Sequence, residues 1–366
     1  MEAAYLQLYK ELKKQILSGA YSYGERFPSK RTAAHESGFS IITVQHAYEI
    51  LCDEGWLEAR ERSGYFVAYH EEGSLALPPV PEIPDAFPKE GEVNSALPFE
   101  IYAKAMRSVL SDYGEKIMKK SPNKGCAELR EALAAYLASQ RSMPVSPAQI
   151  IIGSGAEYLY SIIVHMLGPD QIYALENPSY EVIRLVYERA GAPCRMLPMS
   201  SDGINSESLA ATDASVLHVT PFHSWPTGIT ANASKRREYI SWAEQRNGYL
   251  IEDDFDSELS ASSKAEDTLY SLCPDRVIHI NTFTRTVSPA LRVGYMVLPP
   301  SLLPVYQDKV GFFSCSVPVA EQLLLAELLR SGEFIRHLRR VRRKVRAIKG
   351  EVPGKNYHLP AGPGES

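Results

Sequence analysis

The chain has 366 residues, of which 45% are hydrophobic and 23% are charged, and its formal net charge is −5. This composition excludes a wholly disordered chain, and the length leaves room for two or three domains. The sequence lacks both an apolar run of about 18 residues and the apolar core of a signal peptide, so neither a membrane partner nor export is expected. Its five scattered cysteines favour a reducing, cytoplasmic location over a disulfide framework or a metal site.

The first 70 residues predict a helix-turn-helix followed by a two-stranded wing. Apolar residues at helical spacing predict a first helix over 5–17. Ser29 and Ser40 are good N-caps for two further helices, the second of which runs over 41–54. Two short hydrophobic and aromatic stretches within 55–68 then predict a β-hairpin.

The remainder of the chain predicts a linker and an α/β domain. Residues 71–98 contain six prolines, which favour extended backbone and predict a semi-rigid linker. Residues 99–366 alternate helical and strand patterns, which is typical of a mostly parallel sheet. Small, polar or charged residues follow or precede several predicted strands, at 153–156, 176–180, 220–228, 252–258, 281–286 and 289–295. A small-residue turn before a helix can bind phosphate, although this signal is weak by itself.

Three segments of the first 70 residues carry a family resemblance: PSKR, SIITVQHAY and EGWLEARERSGYFV. Together they resemble the winged helix-turn-helix of the GntR superfamily of bacterial repressors. The family usually has an arginine directly after the serine of the second segment, where this chain has Ile41 with Ile42 beside it. The resemblance implies double-stranded operator DNA as the partner, contacted by Ser29, Arg31, Ser40, Thr43, Gln45, His46 and, at the wing tip, Gly64.

A unit of three helices and a hairpin can also serve as a protein-interaction module. Residues 1–70 contain eight Lys or Arg and nine Asp or Glu, whereas DNA-binding domains usually carry a basic face. The charge count therefore keeps this alternative open beside DNA binding.

The whole set of motifs, in this order, resembles the MocR-type regulators, which are GntR-type winged helices fused to an aminotransferase-like domain of fold type I, dependent on pyridoxal 5′-phosphate. The resemblance spans residues 1 to about 349. It implies a winged helix over 1–70, the linker over 71–98, and an aminotransferase class I/II-like α/β domain over 99–366. Members of the family continue further, so the resemblance also implies a C-terminally short domain with an incomplete small domain.

The resemblance implies a cofactor pocket in the second domain. A phosphate dianion needs several donors, and an arginine offers a bidentate fork. The ring would stack on one aromatic residue, and its protonated nitrogen would donate to a carboxylate. The residues implied are Ser154, Gly155, Ala156, Thr282 and Arg292 for the phosphate, Tyr180 for stacking, and Asp253 for the ring nitrogen. Asp253 and Asp254 can also be a capping pair at a strand end.

Two departures from the family pattern bear on the chemistry. Arg285 occupies the position of the lysine that forms the Schiff base, and a guanidinium is not an amine nucleophile. Phe255 occupies the position of a tyrosine that contacts the cofactor. We therefore expect no catalytic residue, no transaminase activity, and pyridoxal phosphate bound weakly and non-covalently, if at all.

The sequence thus predicts a DNA-binding transcriptional regulator. Its aminotransferase-like domain is expected to form a homodimer and to sense a pyridoxal-phosphate-type effector. Two alternatives remain open: a working pyridoxal-phosphate-dependent aminotransferase with an accessory domain, and a degenerate DNA-binding scaffold that needs no ligand.

Overall fold

The computed structural model describes residues 3–60, 63–69, 96–255, 257–259 and 267–351, with side chains described as far as residue 346. The chain divides into two compact units, Met1–Glu90 and Gly91–Ser366. Most of the predicted proline-rich segment lies outside the described residues. The domain limits 1–70, 71–98 and 99–366 therefore stay a prediction.

The described part of the first unit contains three helices and a small antiparallel sheet in the strand order β1-β3-β2. The predicted helices and both strands of the wing are confirmed. A further strand, β1, was not predicted, because a two-residue strand is too short to show any periodicity. The elements are α1 (Ala4–Leu17), β1 (Arg26–Phe27), α2 (Lys30–Ser37), α3 (Ile41–Asp53), β2 (Leu57–Arg60) and β3 (Gly64–Val67).

One buried tyrosine fixes α3 against the rest of this unit. The ring centroid of Tyr48 lies 5.5 Å from that of Phe27 and 4.9 Å from that of Tyr65 in β3. Its hydroxyl donates a hydrogen bond of 2.9 Å to the carbonyl of Pro28, which precedes the N-cap of α2. Tyr48 therefore links α3 both to the segment before α2 and to the wing, beside the other buried residues of α3, Val44, Ala47 and Leu51.

The second unit is an α/β structure whose helices and strands largely alternate along the chain. None of the helices in the described part of the protein is long and apolar enough to cross a membrane. The elements are α4 (Phe99–Tyr113), α5 (Ala127–Arg141), β4 (Ile150–Gly153), α6 (Ala156–Leu167), β5 (Tyr173–Asn177), α7 (Glu181–Arg189), β6 (Cys194–Ser200), β7 (Gly203–Ile204), α8 (Ser206–Ala211), β8 (Val216–Val219), α9 (Ala233–Gln245), β9 (Tyr249–Asp253), α10 (Leu269–Leu272), β10 (Val277–Thr282), β11 (Gly294–Val297), α11 (Leu302–Lys309), α12 (Val319–Arg330) and α13 (Glu333–Glu351).

The strands form one eight-stranded sheet in the order β4-β11-β10-β9-β8-β5-β6-β7. The pairs β10–β9, β9–β8, β8–β5 and β5–β6 are parallel, whereas β11 is antiparallel to both of its neighbours and β7 is antiparallel to β6. The predicted α/β fold with a mostly parallel sheet is confirmed.

Helices cover both faces of this sheet. Consecutive strand residues alternate between two core clusters: Ile150 and Ile152 belong to one, and Ile151 belongs to the other. The first cluster also contains apolar residues of α5, α9 and α12, and the second contains those of α6, α7 and α11. Because side chains alternate across a strand, the two clusters lie on opposite faces. Because helices pack on both faces of the sheet, side chains that bind a ligand are expected at the ends of the strands.

Candidate functional sites

The polar residues implied by the sequence follow strands whose carboxyl ends meet at one edge of the sheet. Ser154 follows β4, Asp253 ends β9 and Thr282 ends β10. Arg292 precedes β11, which is antiparallel and therefore begins at that edge. Ligands of open α/β sheets bind at this edge.

The register around β11 brings three of these segments together. Gly294 pairs with Thr282 of β10 on one side and with Gly153 of β4 on the other. A Cβ atom added to Gly294 would lie 3.2 Å from Cγ2 of Thr282. The strand ends that carry Thr282 and Ser154 therefore flank the start of β11.

The turn between β4 and α6 lies against the arginine implied as a phosphate ligand. Gly155 is the N-cap of α6 and has a φ of +98°. A Cβ atom there would lie 3.0 Å from Nη2 of Arg292, so the guanidinium approaches the backbone at a place that only glycine leaves open. Ser154 accepts a hydrogen bond of 2.9 Å from Ser316. Ala156 is the first residue of α6. Ser154, Gly155, Ala156 and Arg292 thus form one group at a helix N-terminus.

An acidic residue joins this group. Glu157, in the first turn of α6, forms an ion pair of 2.5 Å between its Oε2 atom and Nη2 of Arg292. The side chains are 43% and 45% exposed, so solvent screens the pair. Tyr180 is half-buried at the start of α7, and its pKa is raised first by burial and then by the Glu157 carboxylate, while Arg292 lowers it. Tyr180 is therefore a neighbour of the same ion pair.

Asp253 lies buried at the end of β9 with one oxygen unpartnered. Its Oδ2 atom accepts a hydrogen bond from the hydroxyl of Tyr160 and lies 3.6 Å from Nε2 of His218. Its Oδ1 atom is buried and has no hydrogen-bond partner within the described residues. A buried acceptor that lacks a donor is costly, so the arrangement suits a donor supplied by a ligand.

The two residues that depart from the family pattern contact each other. The guanidinium carbon of Arg285 lies 5.4 Å from the ring centroid of Phe255, which is a cation–π distance. Phe255 comes two residues after Asp253, and Arg285 comes three residues after Thr282. Position 285 thus presents a cation stacked on an aromatic ring, where the family pattern has an amine and a phenol.

A second carboxyl group is buried beside this site. Glu176, near the end of β5, accepts hydrogen bonds from Oγ of Ser224 at 2.5 Å and from the backbone N–H of Thr220 at 3.2 Å. The pKa of Glu176 is raised to about 7: burial is the main cause and the nearby Asp253 carboxylate adds to it, while the two hydrogen bonds oppose the shift. Glu176 therefore changes its charge near neutral pH.

In the first unit, the serines implied as DNA contacts cap their own helices. Oγ of Ser29 accepts a hydrogen bond of 3.2 Å from the N–H of Thr32, and Oγ of Ser40 accepts one of 3.1 Å from the N–H of Thr43. Contact of the two serines with DNA stays a prediction. Gly64 begins β3 with a φ of +107° and is exposed.

The helices α2 and α3 form a polar face next to the wing. Arg31, Gln45 and His46 are exposed. Lys30 Nζ lies 3.5 Å from Oε1 of Gln45 and 6.0 Å from the ring centroid of Tyr65 in β3. Lys30, which the sequence analysis did not select, therefore contacts both α3 and the wing from the start of α2.

Sequence reasoning missed several residues of both sites. Glu157 carried a readable signal, because an acidic residue in the turn that follows a candidate phosphate loop opposes the charge of a phosphate. His218 and Tyr160 carried none, since each lies in a strand or helix that reads as ordinary core. The missed residues are Lys30, Glu157, Tyr160, Glu176 and His218.

The two units match two family models. Residues 4–67 match the bacterial regulatory proteins of the gntR family, and residues 91–351 match aminotransferase class I and II. The HTH-type transcriptional regulator YdeL of Bacillus subtilis, described as uncharacterized, is 31% identical over 361 residues, which cover 94% of this chain and 78% of the relative. The probable rhizopine catabolism regulatory protein MocR of Rhizobium meliloti is 29% identical, over 92% of this chain and 74% of the relative.

The chain belongs to the MocR-type regulators of the GntR superfamily. Its second unit also resembles solved aminotransferases. The α-aminoadipate aminotransferase LysN of Thermus thermophilus, solved with N-(5′-phosphopyridoxyl)-L-leucine, is 25% identical with a TM-score of 0.61, and the match covers 75% of this chain and 74% of LysN. The predicted family, its two-part fold and its aminotransferase-like second unit are confirmed.

The raised pKa of Glu176 predicts that the second unit loses stability as pH rises. A carboxyl group whose pKa is higher in the folded state than its usual 4.5 stabilises the fold fully below pH 4.5 and loses this contribution as pH rises through about 7. Relative to the Glu176→Gln variant, the native chain should lose up to about 3 kcal/mol between pH 4.5 and 8. Hydrogen exchange of the β5 and β8 amides measures this change.

The matched control is Glu207→Gln, at an exposed position in α8. Its pH dependence should follow that of the native chain. Parallel pH curves for the native chain and Glu176→Gln would contradict the assigned pKa.

Proposed function

We propose that this MocR-type protein is a transcriptional regulator that binds operator DNA through its first unit and a pyridoxal-phosphate-type effector, reversibly, through its second. The proposed effector binding rests on one observation: Arg292, Gly155 and the unpartnered oxygen of Asp253 lie at the same edge of the sheet. The arginine at position 285 indicates that this binding is not covalent. No transamination is expected from such a site.

The first unit supports DNA binding through helix geometry and local charge. In a helix-turn-helix, the second helix of the motif enters the major groove, and the helix before it lies against the backbone. Arg31 and Lys30 at the start of α2 supply cations for the phosphates, and Gln45 and His46 of α3 are exposed for base contacts. Ser29, Ser40, Thr43 and Gly64 complete the set of proposed DNA contacts.

Two copies of the chain fit this role better than one. Operators of helix-turn-helix proteins usually contain two half-sites, and these are read by a dimer with two-fold symmetry. We infer a homodimer that acts on promoter DNA in the cytoplasm.

The residues of the second unit fit both the phosphate group and the pyridine ring of pyridoxal phosphate. Arg292 and the backbone N–H groups at the start of α6 would hold the phosphate, with Ser154 and Thr282 beside them. Oδ1 of Asp253 would accept the ring N–H, and Tyr180 would stack on the ring. When bound, the group supplies an electron-withdrawing ring and an aldehyde.

Arg285 and Phe255 support binding without a covalent bond. The guanidinium of Arg285 keeps its proton and is not an amine nucleophile, so the aldehyde finds no attachment point at position 285. Phe255 cannot donate a hydrogen bond, a loss of about 0.5–1.5 kcal/mol. The phosphate contacts contribute roughly 1.5–3 kcal/mol each, which favours weak, reversible binding over complete loss.

One observation favours a second candidate, the ligand-independent scaffold. Arg292 already has an anionic partner in Glu157. A phosphate must displace this carboxylate, or share the guanidinium with it, and either event lowers the affinity. If Arg292 stays paired with Glu157 and binds no phosphate under any condition, the second unit serves only to dimerise the chain and so to pair two DNA-binding units.

The DNA assignment predicts a uniform loss of affinity in Arg31→Ala. Removing one phosphate contact should weaken binding to every duplex sequence and reduce the slope of log K against log salt by about one unit. Mobility-shift titrations at several salt concentrations measure both quantities. Lys14→Ala, which removes an exposed cation from the last turn of α1, is the control and should leave the slope unchanged. An unchanged slope in Arg31→Ala would reject its phosphate contact.

The phosphate assignment predicts opposite effects for the two members of the ion pair. We expect the native chain to bind pyridoxal phosphate with a Kd between about 1 μM and 1 mM. Arg292→Ala should abolish binding. Glu157→Gln should tighten it about two- to fivefold, because a half-exposed ion pair is worth at most about 1 kcal/mol. Isothermal titration calorimetry measures all three affinities.

Glu181→Gln is the matched control, since this residue occupies the first turn of the next helix and pairs with Arg184 rather than Arg292. Its affinity should equal that of the native chain. Absence of heat with pyridoxal phosphate and with pyridoxamine phosphate, on protein whose fold is verified, would favour the scaffold.

The assignment of position 285 predicts covalent capture only after restoration of the amine. The variant Arg285→Lys with Phe255→Tyr should retain pyridoxal phosphate after borohydride reduction, as a mass increment on the peptide that contains residue 285. The native chain should gain no increment at that peptide. A native chain that is labelled there would show that another group performs the lysine's role.

A further inference from the structure

Two isoleucines are exposed at the start of α3, the helix that carries the proposed base contacts. Ile41 is 51% exposed and Ile42 is 70% exposed. They are the first two residues of the helix, directly after the Ser40 cap. Contact with a partner that removes these apolar side chains from water is favourable, so two adjacent ones at this end of the helix suit an apolar contact.

The polar residues of the same helix are held by contacts within the protein. Oγ1 of Thr43 lies 2.8 Å from Oγ of Ser40. The amide of Gln45 donates to Glu49 at 3.0 Å and accepts from Lys30. The Thr43 hydroxyl and the Gln45 amide must therefore exchange an existing partner before they contact a base.

His46 is held in a different way. Its ring packs edge-on against Tyr5, with centroids 5.8 Å apart. The isoleucines need no such exchange, because their contact with a partner requires only the removal of water. Of the side chains at the start of α3, Ile42 is thus the best prepared to enter a groove.

The chemistry of the major groove limits what an isoleucine can contact there. Hydrogen-bond donors and acceptors line the base edges, and the C5-methyl group of thymine is the apolar group among them. Residues at the N-terminus of a recognition helix are those that reach base edges. An isoleucine at this position therefore favours thymine, because guanine and cytosine present no methyl group in the groove.

A protein or membrane partner fits the same surface less well. Two side chains on one helix turn are far smaller than the ~800 Å² that each side of a stable protein interface buries. The residues one turn further along the helix, Gln45 and His46, are polar and exposed. This composition suits a groove lined with phosphates.

We infer that Ile42, with Ile41 beside it, reads the C5-methyl group of a thymine in each half-site of the operator. The inference rests on the proposed DNA binding by the first unit. It names a specificity contact that depends on apolar burial and on no hydrogen bond.

The test uses the full-length chain and a selected DNA site. Selection from a random duplex library should enrich an A·T pair at a fixed position in each half-site. Replacement of that thymine by deoxyuridine removes only the methyl group, and should weaken binding by the native chain about fourfold per half-site. Ile42→Ala should lose most of the difference in affinity between the thymine and uracil duplexes.

Two further variants make the result specific. Leu17→Ala removes a side chain of α1 that is 50% exposed, and should keep the full preference for thymine. Ile41→Ala should keep most of it, since Ile41 is less exposed than Ile42.

Three outcomes would overturn the inference. Equal affinity of the native chain for thymine and uracil at every position of the selected site would exclude a methyl contact. A full thymine preference in Ile42→Ala would assign the contact to another residue. A native chain that enriches no duplex would reject the DNA-binding function itself, which separates that failure from the other two.

Discussion

The register of β11 is the constraint on which the ligand site of the second unit depends. This strand is antiparallel between two strands that are parallel to each other, and its first residue, Gly294, lies beside Thr282 and Gly153. The ends of two strands and the beginning of a third therefore meet at one edge, and Arg292 comes up against Gly155. A slip of β11 by one residue would turn its side chains to the opposite faces of the sheet and shift Arg292 relative to Gly155.

Three side chains at this edge of the sheet, Arg285, Phe255 and Glu157, determine the chemistry proposed for the site. Arg285 stacks on Phe255, so the two departures from the family pattern act as one contact. Glu157 supplies an anion to Arg292 from within the chain. In the proposed function, covalent attachment is lost and phosphate binding is weakened, while Asp253 keeps a buried acceptor for a ring N–H. The proposed site would then bind an anionic aromatic ligand reversibly.

The sequence predicted the family, the fold and most elements, because these depend on periodic apolar residues and on local signals. Ser29 and Ser40 were recognised as caps because capping is a local hydrogen bond. The Glu157–Arg292 pair was not predicted, since 135 residues separate its members and only the sheet register joins them. His218 was missed for the same reason: its contact with Asp253 arises between neighbouring parallel strands. The contacts that the sequence did not predict are thus those between residues that are far apart in the chain.

In the proposed function, exchange of Glu157 for a phosphate at Arg292 would also limit how strongly an effector can act. A phosphate that replaces the Glu157 carboxylate gives the arginine two discrete arrangements, which is what a two-state response requires. A ligand can change the affinity for DNA by no more than the ratio of its own affinities for the two conformational states of the protein. By thermodynamic linkage, DNA changes the affinity for the ligand by the same factor. A tenfold ratio would change DNA affinity at most tenfold, whereas a shift from 1:99 to 99:1 needs about 10⁴-fold. The half-exposed Glu157–Arg292 pair contributes at most about 1 kcal/mol, or about fivefold. A strong regulatory response in this protein must therefore draw on contacts beyond the phosphate group, and the buried acceptor at Asp253 is the candidate with the larger electrostatic effect, because it lies in a medium that solvent does not screen.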